Sequence, residues 1–153
     1  ASGVGVEAGD GVRPPSLDAD VRPVTGNPRA FRVLLRNVMF RRVELAARRD
    51  WVALGELDGD SGWDAGAWEA ALSSYWEEHD AILADADARS PHLLVVDTGS
   101  TRGSESNERV WRVRQILHDP NGDHDWGISA VVDLDASDEA GGAVVRVTDV
   151  AML

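Results

Sequence analysis

The sequence predicts an α+β fold, with amino-terminal helices packed on a carboxy-terminal antiparallel meander sheet. Three observations lead there. Apolar residues recur at helical spacing between residues 27 and 83, and the repeat switches to every second residue from residue 92 onward. Short turn signals, not helix-length joins, separate the later segments. A chain of 153 residues with one such change of period reads as a single domain able to bury a real core.

Residues 1–26 read as a flexible linker or tail, because Gly3, Gly5, Gly9, Gly11 and Gly26 mix with Pro14, Pro15 and Pro23 and no apolar period is present. The α+β domain then spans 27–153. Asn27 and Pro28 open the first helix as N-cap and first helical residue. Phe31, Leu34, Leu35, Val38 and Leu45 share its apolar face, with Arg29, Arg32 and Arg36 on roughly the opposite one. Asp50 caps a short second helix that turns Trp51, Leu54 and Leu57 inward and ends at Asp58–Gly62. A third helix starts near Asp64, and its stripe of Trp68, Leu72, Tyr75, His79 and Ile82 or Leu83 runs to the polar stretch Asp85–Ser90.

The second half alternates. His92–Val96 reads as a short buried strand, and Thr98–Asn107 as a polar loop. Arg109–Leu117 places Trp111, Val113 and Leu117 on one side and Arg112 and Arg114 on the other. Asp119–Asp123 is a reversal signal. Trp126–Leu134 is apolar at every second position, Asp135–Gly142 reads as a loop, and Ala143–Val150 as the last strand. This order suits a cone-shaped sheet wrapped by amino-terminal helices, as in nuclear-transport-factor-2-like and cystatin-like folds, although the early strand of such folds is missing.

Composition excludes several chemistries. No apolar run approaches the roughly 20 residues that cross a bilayer, and the opening ASGVGVEAGD has no signal-peptide pattern. The absence of cysteine removes disulfides, thiol catalysis and thiolate zinc sites, and fits a reducing cytoplasm, the location expected here. All 15 basic residues are arginine, so this chain offers no Schiff-base or P-loop lysine. Charge is uneven. Residues 27–49 hold seven arginines against Glu44, a local +6 within a chain of net −12, which leaves −18 for the remainder. Such a basic helix on an acidic body suits either phosphate contact or pairing with an acidic neighbour. The second reading, internal or interdomain pairing, ranks first.

Other clusters have plain readings beside their chemical ones. Gly99–Ser104 mimics a phosphate loop only superficially and reads as a hairpin loop. His118–Asp125 gathers three carboxylates, Asn121 and two histidines, donor types that suit calcium or a transition metal. It lacks the glutamate of an EF-hand, however, and Pro-Asn-Gly between aspartates is what a tight turn requires, so no metal is expected. His124 and Asp125 alternate in direction if the segment is extended, which argues against a converging acid–base pair. His79 reads as a core histidine on the third helix. The tryptophans at helical and strand spacing read as core before base-stacking surfaces.

Three long stretches carry a family resemblance: PRAFRVLLRNVMFRRVELAARRDWVALGELD (28–58), the segment from Gly62-Trp63 to His79-Asp80, and WRVRQILHDPNGDHDWGISAVVDLDASDEAGGAVVRVTDV (111–150). They resemble a carboxy-terminal domain of unassigned role on actinobacterial DEAD/DEAH-box helicases of superfamily 2. The lead-in and the Thr98–Asn107 loop lie outside the resemblance. It implies a cytoplasmic parent protein whose upstream domains bind ATP and Mg²⁺, with no cofactor and no catalytic residue in this chain. The expected role is a non-catalytic accessory domain that docks on the helicase core or guides RNA or DNA through Arg29, Arg32, Arg36, Arg41 and Arg42. The alternative is a ligand-binding or hydrolytic domain with a conical pocket lined by His79, Trp111, His124, Asp125 and Trp126.

Overall fold

The computed structural model describes residues 23–99 and 109–153. Residues 1–22 of the linker expected at 1–26, and most of the Thr98–Asn107 loop and of the phosphate-loop mimic within it, lie outside the described residues. Helices come first and an antiparallel sheet follows, so the molecule is α+β.

Local signals explain where the helices begin. In α1 (Pro28–Ala47) the Asn27 side chain accepts from the Ala30 N–H, with proline at the first helical position. Asp50 and Asp64 cap α2 (Trp51–Asp58) and α3 (Ala65–Glu78) in the same way, through the N–H groups of Ala53 and Ala67. Between them the helices approach closely. A Cβ at Gly55 would stand 2.6 Å from the Ala65 nitrogen, so the α2–α3 corner admits no side chain there.

The sheet is a four-stranded meander in sequence order: β1 (Leu94–Asp97), β2 (Val110–Ile116), β3 (Trp126–Asp133) and β4 (Val145–Met152). Its inner face carries Trp111, Val113, Ile128, Ala130 and Val132, which join Phe31, Leu35, Leu54, Trp68, Leu72 and Tyr75 in one core. Phe31 meets Trp111 edge-on at 5.3 Å, and Tyr75 meets Trp126 edge-on at 5.7 Å, so both ends of the sheet are pinned to helices. A register shift between Ser129 and Ala130, opposite Asp149 and Val147, puts one extra residue into β4. That bulge lets Val147 and Val150, three apart, both face the core.

Five expectations are corrected. α3 ends at Glu78, because His79 adopts an extended backbone and Leu83 pairs instead with His118 as an isolated bridge; Ile82 is still buried, but not from a helix. Leu57 points outward, since α2 has only eight residues and turns Leu54 and Asp58 inward. The expected buried strand at His92–Val96 is a 3-10 turn (Pro91–Leu93) followed by an edge strand on which Val95 is 47% exposed. The expected Asp135–Gly142 loop is a helix, α4 (Leu134–Ala140), capped by Asp133 and stopped by Gly141 at φ 75°. The last residues of the expected linker also belong to the fold, because Thr25 in a 3-10 turn (Val24–Gly26) bonds to Asp138 of α4.

Candidate functional site

The arginines of α1 do not form one surface. Buried residues on the helix include Met39, Phe40, Val43 and Ala46 besides the expected Phe31, Leu35 and Leu45, so the apolar face is broad. Arg42 falls inside it. Its guanidinium holds both oxygens of Asp58, Nη2 at 2.6 Å and Nε at 3.0 Å, and donates from Nη1 to the Val38 carbonyl. For Arg42 the internal-pairing reading is therefore the one that applies, and it offers nothing to a partner. Arg29, Arg32 and Arg41 are exposed, and Arg36 is half-buried. Arg32 and Arg36 flank a groove of about 120 Å³ between α1 and β1, whose other walls are Val33, Pro91, Leu94 and Val96. Beyond the set predicted, Arg49 stacks over Trp76 at 3.9 Å.

A second concentration of polar groups forms where α3 ends beside the turn entering β3. The turn is organised around Asp119. Its Oδ2 accepts the N–H groups of Asn121 and Asp123, and its Oδ1 accepts that of His124 at 2.8 Å. This cradle holds His124 at φ 53°, an uncommon backbone for a residue other than glycine. The His124 ring then meets His118, Nε2 to Nδ1 at 2.8 Å, so one imidazole donates and the other accepts. Burial pushes the Asp119 carboxyl up, but the N–H groups of Asp123 and His124, its own N–H and neighbouring His79 outweigh burial and hold it below the usual range.

His79 lies between two carboxylates, with its side chain 2% exposed. Its Nδ1 is 3.7 Å from Asp119 Oδ2, and its Nε2 is 3.6 Å from Asp125 Oδ1. Both separations lie within ion-pair range, yet neither is a hydrogen bond. Both ring nitrogens and Asp125 Oδ1 have no hydrogen-bond partner. Tyr75 stacks against the imidazole at 4.8 Å and donates its hydroxyl to the Ala81 carbonyl. Burial first, then the charges of Asp119 and Asp125, push the Tyr75 phenol above its ordinary value, so it stays a donor.

With this geometry in view, a family model described as a domain of unknown function (DUF3516) matches residues 7–150. The chain belongs to the DUF3516 family. Comparison with curated proteins and with solved structures finds no match. The DUF3516 match begins inside the segment read as a linker, so the family's domain extends upstream of Asn27.

Within this DUF3516 domain the expected pocket residues divide. His79, Asp125, His124 and Trp126 gather around the Asp119 turn, whereas Trp111 does not join them. Trp111 pairs with Val132, and Trp126 lies at the opposite end of β3, six residues or roughly 20 Å away. Trp111 fills core against Phe31. A shallow groove of about 370 Å³ lies elsewhere, on the outer sheet face, lined by Val95, Asp97, Arg114, Ser129 and Thr148 among others. The sequence places Asp119 in the turn and among the carboxylates of His118–Asp125 but leaves it out of the pocket set, although it organises the cluster. Its signal was the aspartate preceding Pro-Asn-Gly, where a side chain caps its own turn.

No helix among the described residues is long and apolar enough to cross a membrane.

Proposed function

We propose that this domain is a non-catalytic accessory module at the carboxy-terminal end of an ATP-dependent DEAD/DEAH-box helicase, and that it docks on the helicase core. The observation that carries the reading is the groove between α1 and β1. Val33, Pro91, Leu94 and Val96 supply apolar wall, and Arg32 and Arg36 flank it. Mixed apolar and guanidinium character suits a protein surface with acidic side chains, where arginine forms forked contacts. Support for the helicase context comes from the three resembling stretches, and ATP and Mg²⁺ then belong to the upstream core. A second reading, nucleic-acid guidance, draws on the exposed Arg29, Arg32 and Arg41 of the same helix, an electrostatic footprint on an acidic body.

The test is titration of the chain with the RecA-like region of its parent open reading frame. Arg32→Glu together with Val33→Asp should weaken that association about tenfold or more, with circular dichroism unchanged. Unaltered association would remove the groove as the docking surface. Binding of single- or double-stranded nucleic acid at low salt, lost in Arg29→Glu/Arg41→Glu, would move the assignment to guidance.

A further inference from the structure

We infer that His79, Asp125 and Glu78 form a binding site for one divalent transition-metal ion, of the zinc or manganese class. The starting point is an imidazole that is almost wholly buried and has no hydrogen-bond partner on either nitrogen. A buried polar group in that state is costly, and folded proteins supply a partner for it. On the Nε2 side stands Asp125 Oδ1, itself buried and without a hydrogen bond, and the Glu78 carboxylate completes a group of three possible metal ligands. The three ligand atoms lie within 4.8 Å of one another.

The spacing discriminates between partners. A direct N–H···O bond would bring Nε2 and Oδ1 to about 2.9 Å, but they stand 3.6 Å apart. Two metal–ligand bonds of about 2.1 Å meeting at roughly 118° span that distance, an angle open to a four- or five-coordinate ion. On the other side of the ring Asp119 Oδ2 stands 3.7 Å from Nδ1, outside hydrogen-bond range but on the side where a metal-bound histidine commonly meets an outer carboxylate. Asp119 is itself poorly suited to bind the ion, because its Oδ2 already accepts two N–H groups. This decides against the alternative grouping of His79 with Asp119 and Asp123.

Ligand chemistry narrows the ion. One imidazole and two carboxylates favour zinc, manganese or iron(II) over magnesium and calcium, which prefer all-oxygen surroundings. Glu78 is exposed and Asp125 partly so, which leaves the remaining coordination positions to water and to an incoming ligand. The site joins the end of α3 to the start of β3, so bound metal should also stiffen that junction. The turn-only reading of His118–Asp125 holds for Asp119 but not for Asp125, whose partner arrives from α3.

The experiment uses the whole chain freed of metal by chelation, titrated calorimetrically with zinc, manganese and magnesium chlorides. One zinc or manganese ion should bind per chain, at least about tenfold more tightly than magnesium. Glu78→Gln and Asp125→Asn, both at solvent-accessible positions, should each weaken zinc binding about tenfold or more. His118→Ala/His124→Ala should leave it unchanged. Ring-nitrogen magnetic resonance should show His79 protonated on Nδ1 and metallated on Nε2. Absence of zinc and manganese binding up to about 1 mM would overturn the proposal. So would binding that survives both carboxylate variants, or that disappears with the His118/His124 pair.

Discussion

Arg42 lies within α1 and His79 directly follows α3; both are buried ionisable side chains, and each faces aspartate. Around Arg42 each guanidinium nitrogen has a taker: two bonds to Asp58 and one to a carbonyl one turn back. Around His79 two carboxylates stand just outside hydrogen-bond range and the ring bonds to neither. Evolution of a fold drives buried polar groups toward the first condition, since an unmet donor in a low-dielectric interior loses its water without compensation. The second condition, an unmet imidazole facing two carboxylates, is the one on which the metal proposal rests. Burial alone therefore does not separate scaffold from site. Completeness of hydrogen bonding, weighed with the charged groups that face an unmet atom, does.

The largest expected effect tests the complete side of that contrast. Arg42→Ala leaves Asp58 charged, buried and unpaired, and should destabilise the chain by about 3–5 kcal/mol in urea unfolding. A loss below about 1 kcal/mol would show that water replaces the guanidinium and that the pair is no scaffold. His79→Leu, unfolded in metal-free buffer, should cost much less, within about 1.5 kcal/mol, because no hydrogen bond is lost and the volume is similar. If instead it matches Arg42→Ala, the imidazole is a structural cation between Asp119 and Asp125, and the comparison breaks.

The sequence disclosed these two environments unequally, for a physical reason. Helix starts are local events. Asn27, Asp50 and Asp64 each cap the residue three positions on, so reading the chain found them. Strand alternation is equally local, which is why Trp111, Val113, Ile128, Ala130 and Val132 were assigned to the buried face. The end of α3 is not local. Nothing between Glu78 and Leu83 is a helix breaker, and the chain leaves the helix where Leu83 can bond the His118 carbonyl, a partner 35 positions away. The short α4 was missed because seven residues, LDASDEA, carry too little period to outweigh a loop-like composition. The site depends on the same non-local step. The alternative pocket reading groups His79, Asp125 and Trp126, but no local signal shows how they meet, which requires α3 to stop at Glu78 and the Asp119 turn to fold under it. Arg42 failed in the opposite direction: its charge advertised a surface, and only tertiary packing against Asp58 reveals that it has none.

A third ionic contact, at the surface, sets the lower end of the scale. Asp138 accepts from the Thr25 backbone N–H at 2.9 Å and from the Thr25 hydroxyl, with Arg109 at 3.4 Å, and so ties the amino-terminal turn to α4. Donation from the Thr25 N–H, first, and then from its hydroxyl and Arg109, holds the Asp138 carboxyl below its ordinary value despite some desolvation. The sign follows directly. A carboxylate whose folded pKa is depressed binds its proton more readily when unfolded, so its contribution is complete above the ordinary aspartate value near about 3.9 and fades as pH drops through the folded one. Asp138→Asn should therefore differ slightly from the parent chain in urea unfolding at about pH 6, by less than His79→Leu does. The difference should close as the pH falls below about 4. A gap that persists undiminished in strong acid would mean that the latch works through shape and neutral hydrogen bonds. Completeness of bonding, not charge, would then rank this contact as it ranks the two buried ones.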